Sequence, residues 1–292
     1  MSFMQRPNNI LKSIPFVVNK AEWGRKKVPY AWRLLRQAKE NGRTKGKKGE
    51  KWVFTELVKF YELWSDVNGI RAKTKAFNPD ILVDTYVEGK KAYVILSNLN
   101  MKDEKVALNI LGVNGNKIKS ITAKHLYADE DGPILEHNRF KSKEERLSFV
   151  LGAEATAIIE YLFEAEINMD HLLQETKHYA TTYLKEIEAN VPSEFEFEKL
   201  PLTTKNEAVL RIGIGRDHGK LLTPTIKVNG KIFDITGNYR GDDQHIRDQF
   251  FGLLEVLIPQ HVLQSENSVS ITFPDSGGHI SSVSMQLFTH IN

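Results

Sequence analysis

The sequence predicts a mixed fold, the C-terminal part of a (β/α)8 barrel followed by two antiparallel β-sandwich domains. Three observations carry that expectation. Residues 16–66 alternate short apolar runs with helically spaced ones, and the hydrophobic period then changes from 3.6 to 2 beyond Asn68 and Gly69. From there to Asn292, strand-like runs recur between glycine- and proline-bearing turns. The expected domains are 1–68 for the last two strand-helix units of the barrel, 69–165 for a first sandwich, and 166–292 for a second, jelly-roll-like one.

Composition bounds the function. A chain of 292 residues with 41% hydrophobic content can bury sizeable cores in two or three domains. Its 40 basic and 37 acidic residues nearly balance, at a net charge of +3, which argues against a nucleic-acid partner. The absence of cysteine rules out disulfides and thiolate metal sites. No stretch nears the roughly 20 apolar residues of a membrane-spanning helix, and MSFMQRPNNILK lacks the apolar core of a signal peptide. The chain is therefore expected to be soluble, with no membrane partner.

Taken in order, Phe16, Val17 and Val18 follow Pro15 as a short run suited to a strand covered on both faces, and the run stops at Glu22, Trp23 and Gly24. Tyr30 to Glu40 sets Ala31, Leu34, Leu35 and Ala38 at helical spacing, with Arg33, Arg36, Gln37 and Lys39 facing away, which predicts a helix. Asn41 to Lys51, NGRTKGKKGEK, reads as a solvated connection, with a polyanion-binding loop as the alternative. Trp52 to Thr55 reads as a second buried strand, and Leu57, Phe60, Tyr61 and Trp64 mark the helix after it. Strand, helix, strand, helix implies a parallel sheet, but two strands cannot close a barrel of about 250 residues.

Beyond Gly69, strands are expected at Ile81 to Val87 and Tyr93 to Leu99, joined by a turn over Glu88 to Lys91. Others follow at 105–111, 118–126, 147–151 and 155–163, with turns at 114–116 and 129–133. The second block predicts strands at 194–197, 208–214, 225–228, 252–258, 268–273 and 281–288.

Glu22 leads the candidates for chemistry, because retaining sugar hydrolysis needs a carboxylate nucleophile and an aromatic neighbour such as Trp23 packs against the apolar face of a sugar. The competing reading is a first-turn carboxylate paired to Arg25 or Lys20. Glu56 opens a helix on the presumed active face; it is either a second catalytic carboxylate or a glutamate favoured by the helix dipole. GIGRDHG (213–219) has glycines spaced GxGxxxG and is followed by a proline-containing strand, so it is no dinucleotide loop. Arg216, Asp217 and His218 there either contact a polar ligand or hold a turn. DSGGH (275–279) is a turn or a calcium loop. The nine histidines show no ligand spacing, so a catalytic metal is not expected. No cofactor is expected either. Trp52 and Trp64 read as core rather than as sugar platforms.

The segments FVVNKAEWGR, WVFTELVKFYELWSDVNG, LGAEAT, ETKHYATTY, AVLRIGIGRDHGK and FPDSGGHISSVSMQ resemble the C-terminal part of glycoside hydrolase family 86, the β-agarases and β-porphyranases. The resemblance implies a (β/α)8 barrel with two appended sandwiches, extracellular or periplasmic, cutting β-1,4 linkages in agar-type red-algal galactans with retention. It places the nucleophile on Glu22, beside which Trp23, Lys20, Arg25 and Glu56 are the candidate substrate-binding residues, Lys20 and Arg25 either serving a sulfate or pairing with a neighbouring carboxylate. The family's general acid/base belongs to an earlier barrel strand than any this sequence resembles. The chain is accordingly expected to be a fragment, inactive alone, with the N-terminal barrel half as a partner. The alternative is a non-catalytic module whose sandwiches bind galactan or buttress the barrel.

Overall fold

The computed structural model of the chain describes residues 8–10, 33–40, 49–111, 113, 115–140, 148–169, 172–235, 240 and 248–291. It opens with β1 (Leu35–Gln37) and β2 (Trp52–Phe54), paired antiparallel with Leu35 opposite Phe54. One expectation is corrected here: residues 33–40 form a strand and turn rather than a helix, and that strand pairs antiparallel with β2, while the other expected barrel strand, 16–18, lies outside the described residues. The cause is polar. Arg33 and Glu40, both buried, form an ion pair across the turn, and Glu40 also accepts from the Gln37 amide at 3.1 Å. The Arg36 guanidinium donates to the carbonyls of Ala38 and Glu40, both at 3.0 Å. Helical spacing of Leu34, Leu35 and Ala38 does not outweigh those bonds. The barrel part of the expected fold is not seen among the described residues.

A single helix, α1 (Val58–Trp64), follows, and Gly69 turns the chain into the first β block. Gly69 takes φ +107°, and a Cβ there would collide with the Val87 carbonyl, so the close approach requires glycine. The block contains β3 (Ile70–Ala72), β4 (Ile81–Glu88), β5 (Lys91–Asn98), β6 (Glu104–Ala107), β7 (Ile118–Asp129), β8 (Gly132–Arg139), β9 (Ser148–Leu151) and β10 (Thr156–Phe163). Six of these form one antiparallel sheet in the order β3-β4-β5-β10-β7-β8, and β6 pairs with β9 in a small second sheet. Gly89, at φ +54°, fills the first central position of the two-residue turn that sets Glu88 opposite Lys91.

The central strands β5 and β10 are apolar on both faces. Ala92, Leu96, Ala157, Ile159, Tyr161 and Phe163 join Phe149 and Leu151 of the small sheet in one core. Tyr93, Ile95 and Ile158 point the other way and pack against Leu63 of α1. The layers are helix, sheet and small sheet, so this side chain alternation is driven by burial on two sides rather than one.

The second block contains β11 (Leu172–Tyr179), β12 (Lys185–Glu186), β13 (Ser193–Phe197), β14 (Asn206–Asp217), β15 (Thr225–Val228), β16 (Lys231–Phe233), β17 (Gln249–Ile258), β18 (Asn267–Thr272) and β19 (His279–Ile291). One sheet runs β11-β19-β14-β17, with β12 also on β19; the other runs β13-β18-β15-β16. Leu210, Ile212 and Ile214 of β14 and Val283, Met285 and Leu287 of β19 face Phe195, Phe197, Ile226 and Val269 across the core. That is the sandwich arrangement, two sheets with alternating inward residues.

Candidate functional site

Glu22, Trp23, Lys20 and Arg25 lie outside the described residues, as does most of the basic loop at 41–51. Glu56 is described. It sits in the turn before α1, its side chain 67% exposed, with its carboxylate 2.5 Å from the Lys59 ammonium one turn on. The structure thus brings Glu56 together with Lys59, an i,i+3 helix pair. Trp64 packs on the cluster between α1 and the sheet, whereas Trp52 is 42% exposed on β2 rather than core.

The helix carrying Lys59 is seated on the first sandwich at several points. Leu63 is 1% exposed beneath it, and Lys59 donates to the Pro133 carbonyl at 2.5 Å. At the other end, Lys124 of β7 donates to the Glu62 carbonyl at 2.6 Å and to Ser65 Oγ at 2.9 Å, and reaches Asp66 at 2.5 Å. The Glu62 carbonyl also accepts from the Ser65 hydroxyl at 2.9 Å, and a cation there opposes the negative end of the helix dipole. The Lys124 hydrogen bond holds the Asp66 carboxyl below its ordinary value, against a smaller opposing effect of burial.

The two motifs singled out at 213–219 and 275–279 meet in space. Arg216, 1% exposed, pairs with Asp275 at 2.9 Å, donates to the carbonyls of Gly277 (2.8 Å), Asp275 (3.0 Å) and Leu221, and lies 4.7 Å from the centre of the Phe273 ring. Asp275 also accepts from the Leu221 amide at 3.1 Å. Arg216 is therefore a structural pin between two loops. Among the described residues, no three acidic or histidine side chains are grouped to hold a metal. Burial works to raise Asp275, and the Leu221 amide with the Arg216 guanidinium outweigh it, leaving the carboxyl below its usual range.

Sequence reasoning missed Lys124 and the buried ion pair of Arg71 with Asp84, at 2.6 Å. The signal for Asp84 was present: it is the one acid inside the apolar run ILVDTYV, a place where a charge is normally paired.

The comparisons with known proteins agree with this architecture. The model described as porphyranase beta-sandwich domain 1 matches residues 80–185, and the model described as beta porphyranase A C-terminal matches residues 194–288. The fold thus defines a chain with two β-rich blocks of the kind these two porphyranase domain models describe. A funoran endo-beta-hydrolase of Wenyingzhuangia aestuarii is 41% identical over 292 residues, which is 99% of this chain and 39% of that protein. A glycoside hydrolase family 86 protein crystallised with neoagarooctaose superposes with a TM-score of 0.82 at 41% identity, over 100% of this chain and 46% of that one. A family 86 β-porphyranase from the gut bacterium Bacteroides plebeius gives 0.81 at 28% identity, over 100% and 51%. This chain belongs to glycoside hydrolase family 86. It spans about two fifths of the curated relative's length.

Proposed function

We propose that the chain is part of a retaining endo-hydrolase of β-1,4 linkages in agar-type galactans, working outside the cytoplasm, and that its first sandwich supports the last helix of a (β/α)8 barrel. The observation that carries the reading is the seating of α1: Leu63 buried on the sheet, with both helix ends held by lysine hydrogen bonds. Relatives named for funoran and porphyran, and one crystallised with neoagarooctaose, support the substrate class.

In this reading Glu22 attacks the anomeric carbon, Trp23 packs on the sugar ring, and Lys20 and Arg25 orient the substrate's polar groups. A retaining mechanism needs a second carboxyl, about 5 Å from the first, to protonate the leaving oxygen. General acid catalysis is worth about 10² to 10⁴ in rate. Glu56, turned to solvent and paired to Lys59, does not supply it, so the chain alone is expected to be inactive. The test is reducing-end release from agarose and porphyran oligosaccharides, beside a Glu22→Gln control. Release by the chain that disappears in the control would overturn the inactivity and make Glu56 the second carboxyl to examine.

A further inference from the structure

An open cleft of about 1130 Å³ lies between the two sandwiches. Its floor is the outer face of the β11-β19-β14-β17 sheet, and one wall is the segment 71–83 of the first sandwich. The carboxylates of the floor are met by cations. Arg71 pairs with Glu175, Lys73 with Glu207, and Arg211 and Arg240 share Glu255 at 2.9 and 3.1 Å.

Gln286 and Arg240 are among the lining residues with unused hydrogen-bonding capacity. Gln286 is 3% exposed; its amide nitrogen donates to Glu175, while its Oε1 has no hydrogen-bond partner. Arg240 gives one nitrogen to Glu255, while Nε and Nη1 are buried with no hydrogen-bond partner. Buried polar atoms normally have partners, and each exception calls for an explanation, a bound group being one. A ligand that completed both would donate to an amide oxygen and accept from a guanidinium in one cleft.

A hydroxyl does both. A polyanion suits the cleft less well, because Glu175, Glu207 and Glu255 face it alongside the cations. The mouth also carries an apolar surface: the Phe77 ring is 87% exposed, and Phe288 lines the floor. Aromatic rings beside a few placed polar groups are the usual lining of a ligand cleft, and ligand pockets commonly run about 300 to 1,000 Å³. We propose that this cleft is a non-catalytic binding site for a neutral, hydroxyl-rich galactan oligosaccharide, held by Gln286, Arg240 and Phe77. The galactan part of the assignment rests on the function proposed above; the polyol part rests on the cleft.

The test is calorimetric titration of the full chain with neoagarohexaose, with cellohexaose and a sulfated porphyran oligosaccharide as comparison probes. Saturable binding of neoagarohexaose is expected, weakened roughly tenfold in Gln286→Leu, the effect of one lost hydrogen bond to a good partner. Phe77→Ala, at a solvent-facing position, should weaken binding while leaving the melting temperature unchanged, so a folding failure in the first variant would not confuse the result. Retardation in an agarose gel would assign the polymer as ligand, and its absence the short oligosaccharide. No binding by the parent chain, or equal binding by both variants, would overturn the proposal and leave the hydrolase reading to its own reducing-end assay. Preference for cellohexaose would overturn the galactan assignment, and preference for the sulfated probe the neutral one.

Discussion

The Lys124 ammonium lies 2.5 Å from the Asp66 carboxylate, so a residue of β7 closes the C-terminal end of α1. The bond makes a pH prediction. Asp66 titrates below its ordinary value of 3.8 in the folded chain, chiefly through the Lys124 hydrogen bond. A carboxyl with a depressed folded pKa contributes stability that is present above its unfolded pKa and lost as pH falls through the folded one. Because the Asp66 side chain is 56% exposed, solvent screening keeps the contribution at about 1 kcal/mol or less. Carbon-detected NMR of the Asp66 carboxyl should show the depressed titration in the parent and an ordinary one in Lys124→Met. Identical midpoints would rule out the Lys124 bond as the cause.

Leu63 is the apolar anchor of the same helix. Leu63→Ala should cost about 2–5 kcal/mol, the range for emptying a buried leucine site. Urea unfolding monitored by tryptophan fluorescence, with Trp64 beside the site, measures the loss. A cost under about 0.5 kcal/mol would mean that α1 is only loosely seated, since surface changes stay within that range.

Arg216 should prove among the least replaceable residues of the second sandwich. Arg216→Met leaves Asp275 without its guanidinium partner and three carbonyls without their donor, and a buried polar group left unsatisfied costs about 1–3 kcal/mol. Thermal unfolding checks this, and Asp275→Asn, which keeps the carbonyl bonds, should cost less. The reverse order would place the main role on the carboxylate.

Gly278 is held at φ +83°, and a Cβ there would collide with the Gly215 carbonyl and the Arg216 side chain. Gly278→Ala should therefore destabilise the chain by about 1–3 kcal/mol through backbone strain. Gly219, also at positive φ but with nothing near its open side, serves as the control for the conformational part alone. Equal losses at the two sites would show that crowding adds nothing.

Much of the β structure was legible because burial writes a period of two. Ile81 to Val87 and Tyr93 to Leu99 predicted β4 and β5 to within a few residues, and the glycine turn between them fixed their register. β8 was not legible: Gly132–Arg139 begins with Gly-Pro and ends in HNR, and it is an edge strand with little core face. β11 fails for the same reason, since LLQETKHY is mostly polar and sits at a sheet edge. Residues 33–40 misled because a 3.6 spacing of Leu34, Leu35 and Ala38 cannot reveal that Arg33 and Glu40 will pair out of water. The link between Arg216 and Asp275 was hidden by distance along the chain: two motifs noticed separately turned out to be one network. Of the candidate site, only Glu56 falls within the described residues, and its partner Lys59 was visible as an i,i+3 neighbour.

The two-sided burial of β5 and β10 sets where the gene can be cut. A clone beginning at Gly69, where the hydrophobic period changes, would strip the cover from Tyr93, Ile95 and Ile158 and leave a greasy sheet face to stick to its neighbours. Starting a few residues before Val58 keeps that cover. The helix, though it reads in sequence as the last piece of what comes before it, is from the standpoint of solubility the first piece of the sandwich.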